Sequence, residues 1–128
     1  MSESRLFDYL DHMRQAAIDA CRFVEGLTED EFLQDKRTQQ AAIMSLIIIG
    51  EAATKVMDGY AGFTEAHPQV PWRSMRGMRN RIAHGYFYIN LAVVWDTVQA
   101  ALPDLLEKLA AVDQSAYKSH HDDHGTKP

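Results

Sequence analysis

A run in the first half of the chain, Ala41 to Ile49, is apolar apart from Ser45. Helix-forming residues flank this run on both sides, so the sequence predicts a long helix from about Thr38 to Asp58. Its centre is apolar nearly all round, which is typical of a helix that other helices surround. The run is far shorter than the roughly 20 residues that a membrane span requires. We therefore predict a buried central helix in a soluble protein that does not cross a membrane.

Three other segments are predicted to be helices, the first of them from apolar residues at steps of three and four. In chain order they are about Ser4 to Gly26, Trp72 to His84 and Leu91 to Val112. Pro71 suits the first turn of the second of these helices. Pro103 lies inside the third, and we expect it to kink or split that helix.

Several residues mark where the predicted helices begin and end. Gly26 is a reasonable stop for the first helix, and Gly85 stands where a helix commonly ends in a left-handed residue. Thr28 begins a capping-box motif, which predicts a short helix ending near Leu33. Asp35 is predicted to cap the central helix.

These elements predict an all-α, up-and-down bundle of four to five helices over residues 1–113. Residues 114–128 are polar, have little to bury and are predicted to be disordered. The lone cysteine, Cys21, cannot form an internal disulfide, and the first residues lack the layout of a signal peptide. We expect a cytoplasmic protein.

Charge is distributed unevenly along the chain. The total of −5 argues against a general nucleic-acid coating protein, which is normally basic. Residues 66–95 contain four arginines and no Asp or Glu, so this segment carries +4 and the rest of the chain −9. An acidic body with one arginine cluster suits a focused anionic site. On composition alone, arginines that face an acidic patch on a partner subunit fit equally well.

Residues 76–86 combine three arginines with an amide, an imidazole and a phenol. On an ideal helix one stripe contains Arg73, Arg76, Asn80 and His84. Arg79 lies about 140° from His84, so Asn80 is the better candidate to orient His84 within one subunit. Arg79 and His84 could still act together where two copies of this helix meet across a two-fold axis.

The residue types in this segment suit phosphodiester cleavage. Arginine can hold a phosphate through two parallel hydrogen bonds, and histidine exchanges a proton near neutral pH. We find no convincing set of metal ligands in the predicted bundle and expect neither a metal nor a cofactor. Each residue also has a structural interpretation: surface charges for the arginines, an aromatic core position for Tyr86. Glu51 interrupts an apolar run and is expected to form an ion pair.

The string Gly77 to Phe87, GMRNRIAHGYF, fits the pattern of an arginine, four residues, a histidine, any residue and a tyrosine. Val-Pro-Trp precedes it at 70–72, and Ile-Gly-Glu-Ala-Ala stands at 49–53. Over about residues 5 to 112 the chain resembles the HEPN superfamily, specifically the HepT-like branch formerly catalogued as a domain of unknown function. The resemblance implies a homodimeric, metal-independent endoribonuclease, the toxin of a type VII-like toxin–antitoxin module.

The resemblance also implies roles for individual residues. Arg79 and His84 would form the catalytic pair, with Asn80 at the polar position where the family often has Asp. Tyr86 would accept AMP groups from a cognate nucleotidyltransferase antitoxin (MntA-like). Judged from the residues and not from the resemblance, Arg73 and Arg76 are ordinary surface charges that at most help to hold the RNA substrate.

Two other functions are compatible with the same residues. One is a non-catalytic HEPN binding module that docks a nucleotidyltransferase or a nucleotide. The other is a four-helix scaffold in which the motif serves only dimerisation.

Overall fold

The computed structural model describes residues 2–85 and 88–112, with side chains from residue 5 onward. Its elements are α1 (Ser2–Phe23), α2 (Glu29–Leu33), α3 (Lys36–Gly59), α4 (Ala61–Ala66), α5 (Trp72–His84), α6 (Leu91–Asp96), a π-helical turn (Thr97–Ala101) and α7 (102–112). No strand occurs in these ranges, so the prediction of an all-α fold is confirmed. Tyr86 and the tail predicted to be disordered, 114–128, lie outside the described residues.

The central helix of the bundle is α3, which packs along α1 on one side and α5 on the other. Its buried residues are Ala42, Ile43, Ser45, Leu46, Ile49, Gly50, Ala52, Ala53 and Val56. Many of them are small, which lets neighbouring helices approach closely. By length and composition α3 could cross a membrane, but half of its apolar window is buried inside this fold. The core helix of a globular helical bundle combines length, apolar composition and burial in this way.

The prediction that α3 is buried all round is wrong on one face. Met44 is 55% exposed and Ile48 is 40% exposed. They lie one turn apart on a side that no other described helix of the protomer covers. This face of α3 is therefore apolar and open.

The first helix packs on α3 through one apolar stripe, which consists of Leu6, Leu10, Met13, Ala17, Ala20 and Val24. These residues recur at steps of three and four, as the sequence predicted. The helix ends at Phe23, and Gly26 follows in the left-handed region with φ +81°. A residue with a Cβ would be strained there.

Side-chain caps fix the starts of α2 and α3. Thr28 and Glu31 form the predicted capping box. Asp35 caps α3, since its two carboxylate oxygens accept from the backbone N–H and the hydroxyl of Thr38 at 3.1 Å and 2.7 Å. Both bonds lower the pKa of the Asp35 carboxyl, and the bond from the Thr38 hydroxyl has the larger effect. The cap therefore stabilises the fold above the ordinary pKa of aspartate and is lost as pH falls through the lowered value.

Pro103 disturbs the last helical segment as predicted, but without splitting it. Proline has no N–H for the oxygen four residues earlier, and its ring collides with that carbonyl. A π-helical turn, Thr97–Ala101, comes just before the proline, and the Leu102 N–H donates to the Thr97 carbonyl, five residues back. The wider turn keeps the backbone helical from α6 into α7.

The prediction of a left-handed residue at Gly85 is wrong. Its φ is −124°, and its N–H donates to the Arg81 carbonyl in ordinary helical fashion. Because this bond satisfies the end of α5, no left-handed turn is needed. A Cβ at this position would lie 3.3 Å from the Arg81 carbonyl oxygen, which is tight for any larger residue.

Candidate functional site

The candidate site lies where α5 crosses α3. Trp72, Met75 and Ile82 form the buried face of α5, and the Trp72 indole N–H donates to the His67 carbonyl at 3.0 Å. Arg79 lies on the same side of the helix as these three residues. The sequence of α5 therefore places one arginine of the cluster against the bundle.

Gly50 allows α5 to lie very close to α3. A Cβ built on Gly50 would overlap the Cβ of Arg79 and would lie 2.7 Å from the Met75 carbonyl oxygen. Both atoms belong to the rigid part of α5, so neither could move aside without shifting the helix. The first carbon of the Arg79 side chain, Cβ, therefore packs directly against the backbone of α3.

Two side chains of α3 hold the guanidinium of Arg79. Its Nη1 donates to the Glu51 carboxylate at 2.6 Å, and its Nη2 donates to the Thr54 hydroxyl oxygen at 3.1 Å. Thr54 gives its own proton to the Gly50 carbonyl at 2.8 Å, so its oxygen acts as an acceptor toward Arg79. The predicted ion pair of Glu51 is confirmed, with Arg79 as its partner.

Arg76 is also paired with α3. Its Nη2 contacts the Asp58 carboxylate at 2.6 Å, one to two turns along the crossing from the Glu51–Arg79 pair. Arg73 and Arg81 form no ion pair with any described residue. The positive charge of α5 is therefore partly neutralised inside the protomer. The acidic groups that face these arginines are on the chain's own central helix, which the charge pattern alone did not reveal.

His84 and Asn80 lie on the exposed side of α5. No hydrogen bond links His84 to Asn80 or to Arg79, all three of which the structure describes. The hypothesis that Asn80 orients His84 within one subunit thus has no hydrogen bond to support it. Arg79 faces α3 while His84 faces solvent, in agreement with the angle expected on an ideal helix. A single protomer does not bring the two together.

Sequence reasoning missed the role of Thr54 and of Gly50. Both belong to the predicted central helix, where a threonine and a glycine have ordinary structural explanations. The sequence did contain a signal for these roles. Gly50, Glu51 and Thr54 place a residue without a side chain, a carboxylate and a hydroxyl within about one helical turn. Within the described ranges, no group of three or more His, Cys, Asp or Glu side chains could hold a metal ion.

A comparison with protein-family models adds to this geometry. The model described as "Ribonuclease HepT-like" matches residues 13–112, which include the whole α3–α5 crossing. This chain belongs to the HepT-like ribonuclease family. The resemblance found in the sequence is thereby confirmed at the level of the family.

The HepT-like chain matches several curated relatives over most of the length of both proteins. A Thermococcus cleftensis protein named "Probable ribonuclease HepT" is 38% identical over 101 residues, 79% of this chain and 89% of the relative. A Methanocaldococcus jannaschii protein named a "putative RNase" is 37% identical over 107 residues, 84% and 83% of the two chains. Another protein with that name, from Caldanaerobacter subterraneus, is 32% identical over 106 residues, 83% and 92% of the chains.

These names support ribonuclease activity for the HepT-like family to which the chain belongs. The comparison with solved structures gave no significant match.

Proposed function

We propose that this protein is a metal-independent endoribonuclease that works as a homodimer. Arg79 of one protomer and His84 of the other would act on the same scissile phosphate. The observation that carries this proposal is the separation of the two side chains on α5, with Arg79 against α3 and His84 in solvent. A second copy of α5 supplies the missing group when two-fold symmetry brings the helices together.

The chemistry follows from the two side chains. His84 takes the proton of an RNA 2′-hydroxyl, or gives a proton to the departing 5′-oxygen. The 2′-oxygen forms a bond to phosphorus as the bond to the 5′-oxygen breaks, which leaves a 2′,3′-cyclic phosphate and a 5′-hydroxyl. Arg79 stabilises the negative charge that develops on the phosphoryl oxygens. Asn80 lies with His84 on the exposed side of α5. Arg73 forms no ion pair with a described residue, so its charge is available to hold the RNA backbone.

The open face of α3 supports the homodimer. Met44 and Ile48 are 55% and 40% exposed and lie on the same side of α3 as Glu51, which forms the ion pair with Arg79. RNA does not favour burying such aliphatic groups, whereas a second protein copy does. If a second copy covered this face, the dimer contact would lie next to Arg79. This is the residue that the proposal combines with His84 of the other protomer.

The ribonuclease proposal predicts cleavage of a short RNA by the purified protein in excess EDTA. The products should carry a cyclic phosphate and a 5′-hydroxyl, as mass spectrometry of the fragments would show. A single 2′-deoxy nucleotide at the cleaved position should stop cleavage there, because the nucleophile is missing. A His84→Ala protein purified in the same way controls for contaminating nucleases. Intact RNA, cleavage of DNA, or loss of cleavage in EDTA would contradict the proposal.

We further propose that the protein is the toxin of a two-gene module in the cytoplasm and that a nucleotidyltransferase attaches AMP to Tyr86. This residue lies outside the described part of the chain, two positions after His84. The supporting argument is electrostatic. A phosphate-linked group at this position adds bulk and negative charge near the arginines that RNA needs.

Co-expression with the neighbouring nucleotidyltransferase should raise the intact mass of the protein by whole adenylate units. Tyr86→Phe should lose this added mass, while Tyr88→Phe should keep it. Tyr88 is the matched control because it is a tyrosine two positions away and is 90% exposed. Adenylate on the Tyr86→Phe protein would show that another residue is the acceptor.

One observation favours a second function, the non-catalytic module that docks a nucleotidyltransferase or a nucleotide. Arg76 and Arg79 are both paired with carboxylates in the protomer, so neither presents an unneutralised charge. Tight binding of the nucleotidyltransferase together with intact RNA in the EDTA assay would support this alternative.

A further inference from the structure

We propose that Glu51 and Thr54 are positioning residues that fix the guanidinium of Arg79 for the transition state of RNA cleavage. This inference rests on the proposed function and assigns to two residues of α3 a part in the same site. It is distinct from a structural ion pair, because it predicts an effect on turnover that exceeds any effect on folding.

The side chain of Arg79 is held at both ends. Its Cβ lies against the backbone of α3 at Gly50, where no larger residue fits. Its two terminal nitrogens donate to different acceptors, Glu51 at 2.6 Å and Thr54 at 3.1 Å. Contacts to both nitrogens fix the plane of the guanidinium as well as its position. A long, flexible side chain is thereby confined to one orientation.

Arg79 keeps N–H donors that its contacts with α3 do not use. A guanidinium has five N–H groups, and the two contacts with α3 use one on each terminal nitrogen. The Nε atom is buried and has no hydrogen-bond partner among the described residues. Each terminal nitrogen keeps a second N–H that contacts no described acceptor and is available to a phosphoryl oxygen.

The Arg76–Asp58 pair shows what the Arg79 arrangement adds. It joins the same two helices at the same distance, 2.6 Å, but no hydroxyl of α3 contacts the second terminal nitrogen. One contact leaves the guanidinium free to turn, whereas two contacts do not. Asp58 is therefore a natural control for the loss of a carboxylate from the exposed side of α3.

Glu51 should affect binding and turnover in opposite directions. Its carboxylate is 52% exposed and lowers the positive charge that the bound RNA meets, so removing it should tighten ground-state binding. The same removal frees the guanidinium to adopt orientations that do not match the transition state. A merely structural ion pair would leave the turnover of the folded protein unchanged.

Steady-state cleavage of a short RNA by the full-length protein tests the inference. Glu51→Gln should lower kcat on the order of tenfold while KM stays the same or falls. Thr54→Val should lower kcat by a smaller factor, and Thr54→Ser, which keeps the hydroxyl, should restore it. Asp58→Asn should leave kcat unchanged. Thermal unfolding of each variant separates these effects from loss of folded protein.

A second measurement does not depend on activity. In an NMR spectrum of the ¹⁵N-labelled protein, slow rotation of a fixed guanidinium should give separate Nη signals for Arg79, and Glu51→Gln should merge them. Merged signals in the wild type would overturn the inference, as would a higher kcat in Glu51→Gln, which would make Glu51 an inhibitor. Unchanged kinetics with a lowered Tm would make the pair structural. Absence of cleavage by the wild type would instead overturn the ribonuclease proposal, and with it any role for Arg79 in turnover.

Discussion

A heterodimer of one Arg79→Ala protomer and one His84→Ala protomer should recover about half of the wild-type ribonuclease activity. Each variant as a homodimer is expected to cleave RNA roughly a thousandfold more slowly, because one loses the cation and the other the proton carrier. The recovery follows from where the two side chains lie. Arg79 is held against α3, whereas His84 of the same helix is exposed on another side.

The proposed site combines Arg79 of one protomer with His84 of the other. In the mixed dimer, one site then loses both groups and the other keeps both. If each site were built within a single protomer, both sites would lack one group and no activity would return. Differently tagged protomers, purified through both tags, allow the rate to be measured on the heterodimer alone.

The matched control places both substitutions on the same protomer. A heterodimer of wild type with the Arg79→Ala, His84→Ala double variant contains the same two changes. In the two-protomer site it should be inactive, because each site lacks one group. A site within one protomer predicts the reverse for both mixtures. Activity in the control mixture and none in the first would therefore rule out the shared site.

Much of the fold was predictable because its signals are local. The repeat of apolar residues predicted α1, Pro71 predicted the start of α5, the capping box predicted α2, and Asp35 predicted the cap of α3. Local patterns were less reliable at helix ends. Gly85 has the sequence position of a left-handed residue, but its backbone N–H donates to the Arg81 carbonyl and so completes α5 without a left-handed turn.

Properties that depend on the register between helices were not predictable. The sequence indicated that Glu51 needs a partner but contained nothing that selected Arg79 among the four arginines of α5. That choice depends on the antiparallel crossing, in which Arg76 meets Asp58 and Arg79 meets Glu51. The exposure of Met44 has a similar cause, since it depends on which helices pack around α3. A nearly continuous apolar surface predicts that a helix is buried. It does not say whether the residues that bury it belong to the same chain.

Gly50→Ala should destabilise the protein and disturb its candidate site in one step. Two opposing effects decide whether the substitution raises or lowers the free energy of unfolding. Alanine favours the helix over glycine by about 1 kcal/mol. Overpacking at a close helix contact costs about 1–3 kcal/mol, and the top of that range is appropriate because the new Cβ meets the Arg79 Cβ and the Met75 carbonyl rather than a flexible chain end. The expected net loss is about 2 kcal/mol, or a Tm lower by roughly 8 °C.

Gly59→Ala, at the C-terminal end of the same helix, is the matched control. A Cβ there meets nothing within 4 Å, so only the gain in helix propensity remains and Tm should stay level or rise slightly. If Gly50→Ala has the Tm and the RNA cleavage rate of the wild type, the spacing of α3 and α5 does not depend on Gly50. If instead cleavage falls further than the folded fraction does, then the damage lies in the placement of Arg79. In that case the close crossing of two helices serves the chemistry as well as the core.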